Sequence, residues 1–583
     1  MTAVDVEIAA ARPSAVLDDA HVGDIRGALG TIRVGDSAPR TTLSAKLKTL
    51  LAVVGPGLIV MVGDNDAGAF ATYGQAGQDY GTRLLWTLLL LVPVLYVNQE
   101  MVLRLGAVTG VGHARLILER FGRFWGAFSV IDLFLLNALT LVTEFIGITL
   151  AAGYLGLPKI AAVALAAAVV VGTAFTGSFR RFERIAVAFC AGSLLLIPVY
   201  VLAHPRVTQM AHGFAVPQLP GGAGQLSTVM LLIIGIVGTT VAPWQLFFQQ
   251  SYVIDKRITP RFIRYEKADL WLGIGVVIVG AAAVMGATAA AFAGTRGFGQ
   301  FTDTAALASG LQAYAGRAAG VLFAVALLDA SVIGAFAVSL STAYAISDVF
   351  GINHSLHRGV RGAKGFYGVY AGLIGVAATI VLIPGSPLGL LTEGVQVLAG
   401  VLLPSASVFL LLLCNDRAVL GPWVNGRKTN MFTGTVVAIL VSLSVILTAS
   451  VLFPGITSRQ IIDIMAGCGA AMVLAAGYAL ARGLRAGARA GLRAVSPPAA
   501  GLPSAEPPAA ELPSAGPLAA ELPATEPPAG RTDREGWRMP PLATLRRPAM
   551  STGRKIGMSA LRLYLAVAMI LVIVRIVQLA IGH

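Results

Sequence analysis

Charge is what this sequence has least of. Only 12% of its 583 residues are Asp, Glu, Lys or Arg, while 56% are hydrophobic and mean hydropathy is +0.77. Soluble domains carry roughly 25% charged residues, so a soluble globular protein is excluded and a polytopic membrane protein is described. Cysteine is almost missing: Cys190, Cys414 and Cys468 lie in or at the ends of apolar segments without metal-type spacing. That excludes a disulfide framework and leaves packing thiols. No phosphate loop, nucleophile elbow or zinc motif is found, so the chain reads as a non-enzyme without a resident cofactor. A signal peptide is not expected either. Residues 1–44 are mixed and polar, with Asp5, Glu7, Asp18 and Asp19, and read as a disordered cytoplasmic lead. All seven histidines, including His113, His354 and His357, fall outside the apolar spans, which excludes an imidazole relay inside the membrane.

What is present is a series of apolar runs of about 18 residues or more. They fall near 49–76, 84–107, 127–153, 159–177, 185–203, 227–254, 268–294, 318–349, 367–384, 390–413, 430–453, 461–481 and 558–580. Lys and Arg accumulate in alternate loops: Arg115, Arg120 and Arg123; Arg180, Arg181 and Arg184; Lys256, Arg257, Arg261 and Arg264; Arg358, Arg361 and Lys364; Arg417, Arg427 and Lys428; then the run Arg482 to Arg493. The other loops hold one or two each, so the N-terminus is predicted to be cytoplasmic. The formal net charge of +14 therefore reflects topology, not a nucleic-acid partner.

The expected divisions are a disordered segment 1–44, a ten-span core 45–415, spans eleven and twelve over 416–482, a basic and Pro/Ala-rich linker 483–557, and a last span 558–583. The repeats of residues 496–530 cannot bury a core and read as extended chain. The last span, interrupted by Arg575, reads as a tethered accessory anchor or oligomerisation helix.

Two spans are interrupted by residues that hydrocarbon does not tolerate. The first contains Gly63-Asp64-Asn65-Asp66-Ala67-Gly68-Ala69, and the sixth contains Gly238-Thr239-Thr240-Val241-Ala242-Pro243-Trp244-Gln245. An ionisable side chain at bilayer depth marks a functional site by default. Proline removes a helical donor, and freed backbone groups are tolerated where they line a cavity. Broken helices at matching positions of two five-span halves point to an inverted repeat with a site at the midplane. Asp66 is the leading candidate, with Asp64 and Asn65 either joining it or capping a helix. Glu144 is predicted to be buried, as a proton or ion-path group or as a structural acid, and Asp329 has the same two readings. Gln396 offers a carbonyl oxygen to a cation or serves as helix–helix glue. Glu100 and Arg104, spaced i, i+4, are expected to form a helix-end ion pair. Asp132 and Asp463 fall near span ends and are expected to be solvated.

Over residues 45–455 these motifs resemble the NRAMP family of divalent-metal transporters, which implies an all-α LeuT-type fold of five plus five spans, with further C-terminal spans. Gly55-Pro56-Gly57 leads into Asp66-Ala67-Gly68-Ala69 where the family has Asp-Pro-Gly-Asn. Thr240-Val241-Ala242-Pro243-Trp244 stands for Thr-Val-Met-Pro-His, and Arg104-Leu105-Gly106, Thr109-Gly110 and Asn415-Asp416-Arg417 through Trp423-Val424-Asn425 match other family segments. The resemblance implies a metal site at Asp66, Ala69, the Thr239 carbonyl, Ala242 and Gln396, with Asp64 and Asn65 binding through water. Alanine replaces the family's Asn and Met ligands, and Trp244, Gln249 and Leu141 stand where it has proton-linked residues. The pattern is similar to the NRAMP-related magnesium transporters. It implies uptake of Mg²⁺, with Mn²⁺ tolerated, across a bacterial-type inner membrane without proton coupling. The alternatives are a proton-coupled Mn²⁺/Fe²⁺ symporter and a non-transporting membrane sensor; protein partners beyond the lipid bilayer are not implied.

Overall fold

The computed structural model describes residues 19–220, 226–384, 388–453, 456–457, 459–474, 477, 531–548 and 552–581. A short hairpin, β1 (Ile25–Arg26) and β2 (Thr31–Ile32), precedes α1 (Leu43–Val53), α2 (Pro56–Val62) and α3 (Ala67–Tyr80). Then come α4 (Trp86–Thr109), α5 (His113–Phe121), α6 (Arg123–Tyr154), α7 (Lys159–Ala174), α8 (Phe179–Gly192), α9 (Leu196–Ala203) and α10 (Val207–Ala215). The second half holds α11 (Leu226–Thr240), α12 (Pro243–Asp255), α13 (Ile263–Phe292), α14 (Thr304–Ala315), α15 (Arg317–Phe350), α16 (Lys364–Leu382) and α17 (Leu388–Cys414). Then follow α18 (Arg417–Leu420), α19 (Arg427–Leu452), α20 (Arg531–Gly536) and α21 (Thr552–Ile581), and residues 459–474 are helical as well. Among the described residues nine helices are long and apolar enough to cross a membrane, and α1 with α2, bent by 53°, makes a tenth candidate.

The two interrupted helices occupy the centre of the bundle. Both α2 and α3 pack along α13, α12 lies against α15 and α4, and α11 lies against α17. The Gly55-Pro56-Gly57 motif explains how α2 can start inside protein. The Asp269 carboxylate of α13 accepts from the backbone N–H of Gly55 at 3.1 Å, Gly57 at 2.7 Å and Leu58 at 3.2 Å, so the orphan donors of the first turn are satisfied. A Cβ on Gly57 would collide with the backbone at Leu270, so glycine permits this approach.

The basic loops meet on one face. Arg257 donates to the Ala20 carbonyl, Arg184 to the Ala28 carbonyl and Arg358 to Asp19, while Lys256 and Glu183 form a fully buried pair at 2.7 Å. Residues 19–34, expected to be disordered, are therefore ordered. Ile25 and Ile32 are cross-strand partners and buried, and Ala28 donates its N–H to Glu183 at 2.6 Å. Distant charged side chains capture the main chain, and local polarity carried no trace of them.

Three further expectations change. Part of the linker is ordered: the Arg534 guanidinium lies 4.2 Å from the Trp423 ring centre, and Arg120 donates to the Arg546 carbonyl at 2.7 Å. Residues 496–530 lie outside the described residues. The C-terminal helix expected as a tethered last span is docked, because the Tyr564 hydroxyl of α21 is 2.8 Å from the Ser444 hydroxyl and 2.9 Å from that of Thr448 on α19. Asp132 is buried, not solvated: α6 begins at Arg123, two turns before it, and carries it inside against Ser405 of α17. Asp463 is exposed, Asp329 packs half-buried against Gly192, and Arg104 pairs with Glu100 at 3.2 Å. Arg104 also donates to Asn425 and to the Trp423 carbonyl, joining the end of α4 to the segment after α17.

His354 lies in the loop after α15, near His21 and Asp255. Burial opposes its charge, but the Asp348 carboxylate at 3.2 Å outweighs burial and holds the imidazole up to about 9. Its folded value exceeds the unfolded value of about 6.5, so the stability it contributes is complete below pH 6.5 and lost as pH rises through 9. In detergent, the thermal midpoint of the wild type is expected to fall over that window, and His354→Asn should remove that component of the fall. His113, in α5, behaves oppositely: burial lowers it to about 4, so it is neutral at pH 7 and serves as a hydrogen-bond partner of Gln250 at 2.9 Å.

Candidate functional site

The break in the first span is a loop of only four residues, Gly63 to Asp66, between α2 and α3. Asp66 is the N-cap of α3, and its carboxylate accepts from the Ala69 N–H at 2.8 Å. This uses the Asp preference for such positions and leaves the other carboxylate oxygen for a further partner. Glu144 of α6 lies beside it: its carboxyl adjoins that of Asp66, one oxygen accepts from the Ala67 N–H at 3.3 Å, and the other has no hydrogen-bond partner among the described residues. Both acids are buried. Two carboxyls so close hold either a proton or a cation between them.

The opposite wall comes from the second break. α11 stops at Thr240 and α12 starts at Pro243. The helical partner of the Thr239 carbonyl would be the N–H of residue 243, which proline lacks, so that carbonyl is left for another donor or a cation. The Thr239 hydroxyl is also buried and has no hydrogen-bond partner among the described residues. Gln396 of α17 completes the wall: a Cβ on Gly68 would strike its amide nitrogen and would stand 3.3 Å from the Asp66 carboxylate. Asp66, Glu144 and Gln396 therefore surround the first turn of α3, and α11 presents Gly238 to the backbone of Gln396 and Gly400.

Asp64 is placed differently. One oxygen of its carboxylate accepts from the Gln245 amide, the other has no hydrogen-bond partner among the described residues, and Gln245 also donates to the Thr240 carbonyl at 3.2 Å. Gln99 of α4 donates to the Gln245 carbonyl oxygen at 2.8 Å, so a polar chain runs from the first break to α4. Gln249, one turn beyond Gln245, is buried with neither amide atom bonded among the described residues. Asn65 turns away: its amide donates to the Val277 carbonyl of α13 at 3.2 Å, so it ties the break to that helix and is not gathered with Asp66. Ala69 and Ala242 are buried and bring no side-chain donor. Among the described residues no group of three or more His, Cys, Asp or Glu is arranged to hold a metal. A bound cation would thus rely on the charge of Asp66, on neutral oxygens and on its own waters.

Gln99 and Gln245 escaped the sequence reading as site residues. Their signal was available, since each is an amide in an apolar run, but their meeting across two helices was not. One consequence is testable. Gly68→Ala is expected to fold, because the obstructing Gln396 amide is the mobile end of a side chain, but to push Gln396 from Asp66 and weaken cation binding about tenfold by titration calorimetry.

Two broken helices crossing at a buried carboxylate, inside a bundle of membrane-length helices, define an inverted-repeat membrane carrier. The chain belongs to the family described as natural resistance-associated macrophage protein-like (Nramp), which matches residues 57–450. Among its relatives, the divalent metal cation transporter MntH of Burkholderia ambifaria is 29% identical over 433 residues, 71% of this chain and 91% of that protein. The protein of the same name from Ralstonia nicotianae is 30% identical over 415 residues, covering 67% and 89%. A mutant of the Eremococcus coleocola manganese transporter has the same fold, with a TM-score of 0.57, 21% identity, and coverage of 78% of this chain and 96% of its own. The fold is accordingly the LeuT type.

Proposed function

We propose that this chain carries a divalent cation inward by alternating access, that the cation is Mg²⁺ with Mn²⁺ tolerated, and that transport proceeds without coupled protons. The broader part, divalent-metal transport, is supported by membership of the Nramp family and by the names of its relatives. The choice of ion is carried by one observation: the groups around Asp66 are oxygens and an amide, with alanine at 69 and 242. A thioether favours soft transition metals, whereas Mg²⁺ keeps several waters and takes one or two carboxylates. Asp66 supplies the main charge, Gln396 and the Thr239 carbonyl add direct or water-bridged contacts, and Asp64 with Gln245 lines the way out. The basic-loop face is the cytoplasmic one, and the membrane is the bacterial-type plasma membrane. An inside-negative potential favours entry of a divalent ion by roughly 4.6 kcal/mol per 100 mV, about 2.3 for each charge, so no proton gradient is required.

A proton-coupled Mn²⁺/Fe²⁺ carrier is the second reading, and the contact between the Asp66 and Glu144 carboxyls favours it. An arriving cation would displace a shared proton there. Proteoliposomes containing a Mg²⁺ dye and, in parallel, a pH dye separate the two. The expected result is Mg²⁺ entry with no acidification, and Glu144→Gln keeping at least about half the wild-type rate. Entry of Mn²⁺ but not Mg²⁺ overturns the ion; acidification that Glu144→Gln abolishes overturns the uncoupled mechanism.

A further inference from the structure

The docking of α21 leaves a cavity that cation transport does not use. It measures about 630 Å³ and lies between α17, α19 and α21, with Val408, Leu412, Val441 and Leu561 in its walls. Tyr564 already holds α21 on α19 through two hydroxyl contacts, so the space is not a gap awaiting closure of the helix. Its end at the basic-loop face is polar, formed by Asn415, Asp416 and Arg417.

The charge at that end is unbalanced. The Asp416 charge is balanced by Arg120 at 2.6 Å, which leaves a net cation in Arg417, whose exposed side chain makes no hydrogen bond or ion pair among the described residues. Arg562 lies with its guanidinium 3.5 Å from the Phe124 ring centre, and Arg547 is exposed beside Gly122. An apolar slot of ligand size that ends at Arg417, with two further arginines nearby outside its walls, has the chemistry of an amphiphile with a negative head.

We propose that this cavity is a binding site for one anionic phospholipid, with an acyl chain along Leu412 and Leu561 and the phosphate at Arg417. Moving a chain from bilayer to slot gains no hydrophobic energy, because lipid tails are as apolar as the walls. Preference among lipids therefore comes from the head, at about fivefold per nearby arginine. A free phosphate would use the arginine but not the slot.

The test is native mass spectrometry of the full-length protein in detergent, mixed with equal phosphatidylglycerol and phosphatidylcholine. The expected result is at least about fivefold more bound phosphatidylglycerol. Arg417→Gln should bring the ratio towards one, Arg417→Lys should keep it, and Leu561→Trp should reduce occupancy by both lipids. Equal binding of the two lipids by the wild type overturns the proposal without recourse to any variant. So does undiminished phosphatidylglycerol binding by Leu561→Trp protein whose thermal unfolding matches the wild type.

Discussion

Asp66→Asn is expected to lower divalent-cation uptake into proteoliposomes at least about 100-fold, with little change in thermal stability. Removing an outer-shell partner of a metal ligand already costs 10–100-fold in affinity, and Asp66 is placed as the main charge of the site. Asparagine is the informative replacement because it also caps helices well, so the bond that Asp66 accepts from Ala69 at 2.8 Å can persist while the charge is lost. Asp66→Ala removes both and should be less stable by about 1 kcal/mol as well as inactive. Asp64→Asn should be milder, since the Asp64 carboxylate is engaged by Gln245. Uptake by Asp66→Asn at more than a tenth of the wild-type rate would show that the cation is held elsewhere.

The second large effect is on folding. Lys256 and Glu183 are both fully buried and 2.7 Å apart, and Lys256 also donates to the Val54 carbonyl at the end of α1. Glu183 in turn accepts the Ala28 N–H of the N-terminal hairpin. Lys256→Met leaves a buried carboxylate without its cation, and breaking such a pair costs about 3–5 kcal/mol. A lowered midpoint of chemical unfolding is the readout. Lys256→Met combined with Glu183→Gln should recover most of the loss, because the neutral amide no longer needs a cation. A double variant as unstable as the single one would mean that Lys256 acts through packing, not through charge.

Much of this protein was legible in its sequence because a bilayer allows few solutions. An apolar run of membrane length has to be a helix, since its own backbone must supply every hydrogen bond. The spans, the alternation of basic loops and both helix breaks follow from that. Pro243 alone already frees the Thr239 carbonyl, and Asp66 within an apolar run already marks a polar site. Residue type could not say what meets what. Asp66 finds Glu144 from α6 and Gln396 from α17, whereas its neighbour Asn65 turns to α13, and one position in the chain separates these fates. Asp132 looked solvated because its helix begins earlier than the apolar run, and residues 19–34 looked disordered because the groups that hold them are Glu183, Arg184 and Arg257, far along the chain. The C-terminal helix, which looked merely tethered, is docked through Tyr564, Ser444 and Thr448. Where a residue lies in the membrane was set by local hydropathy; which partner satisfies its polar atoms was set by packing between distant segments, and that only the tertiary structure decided.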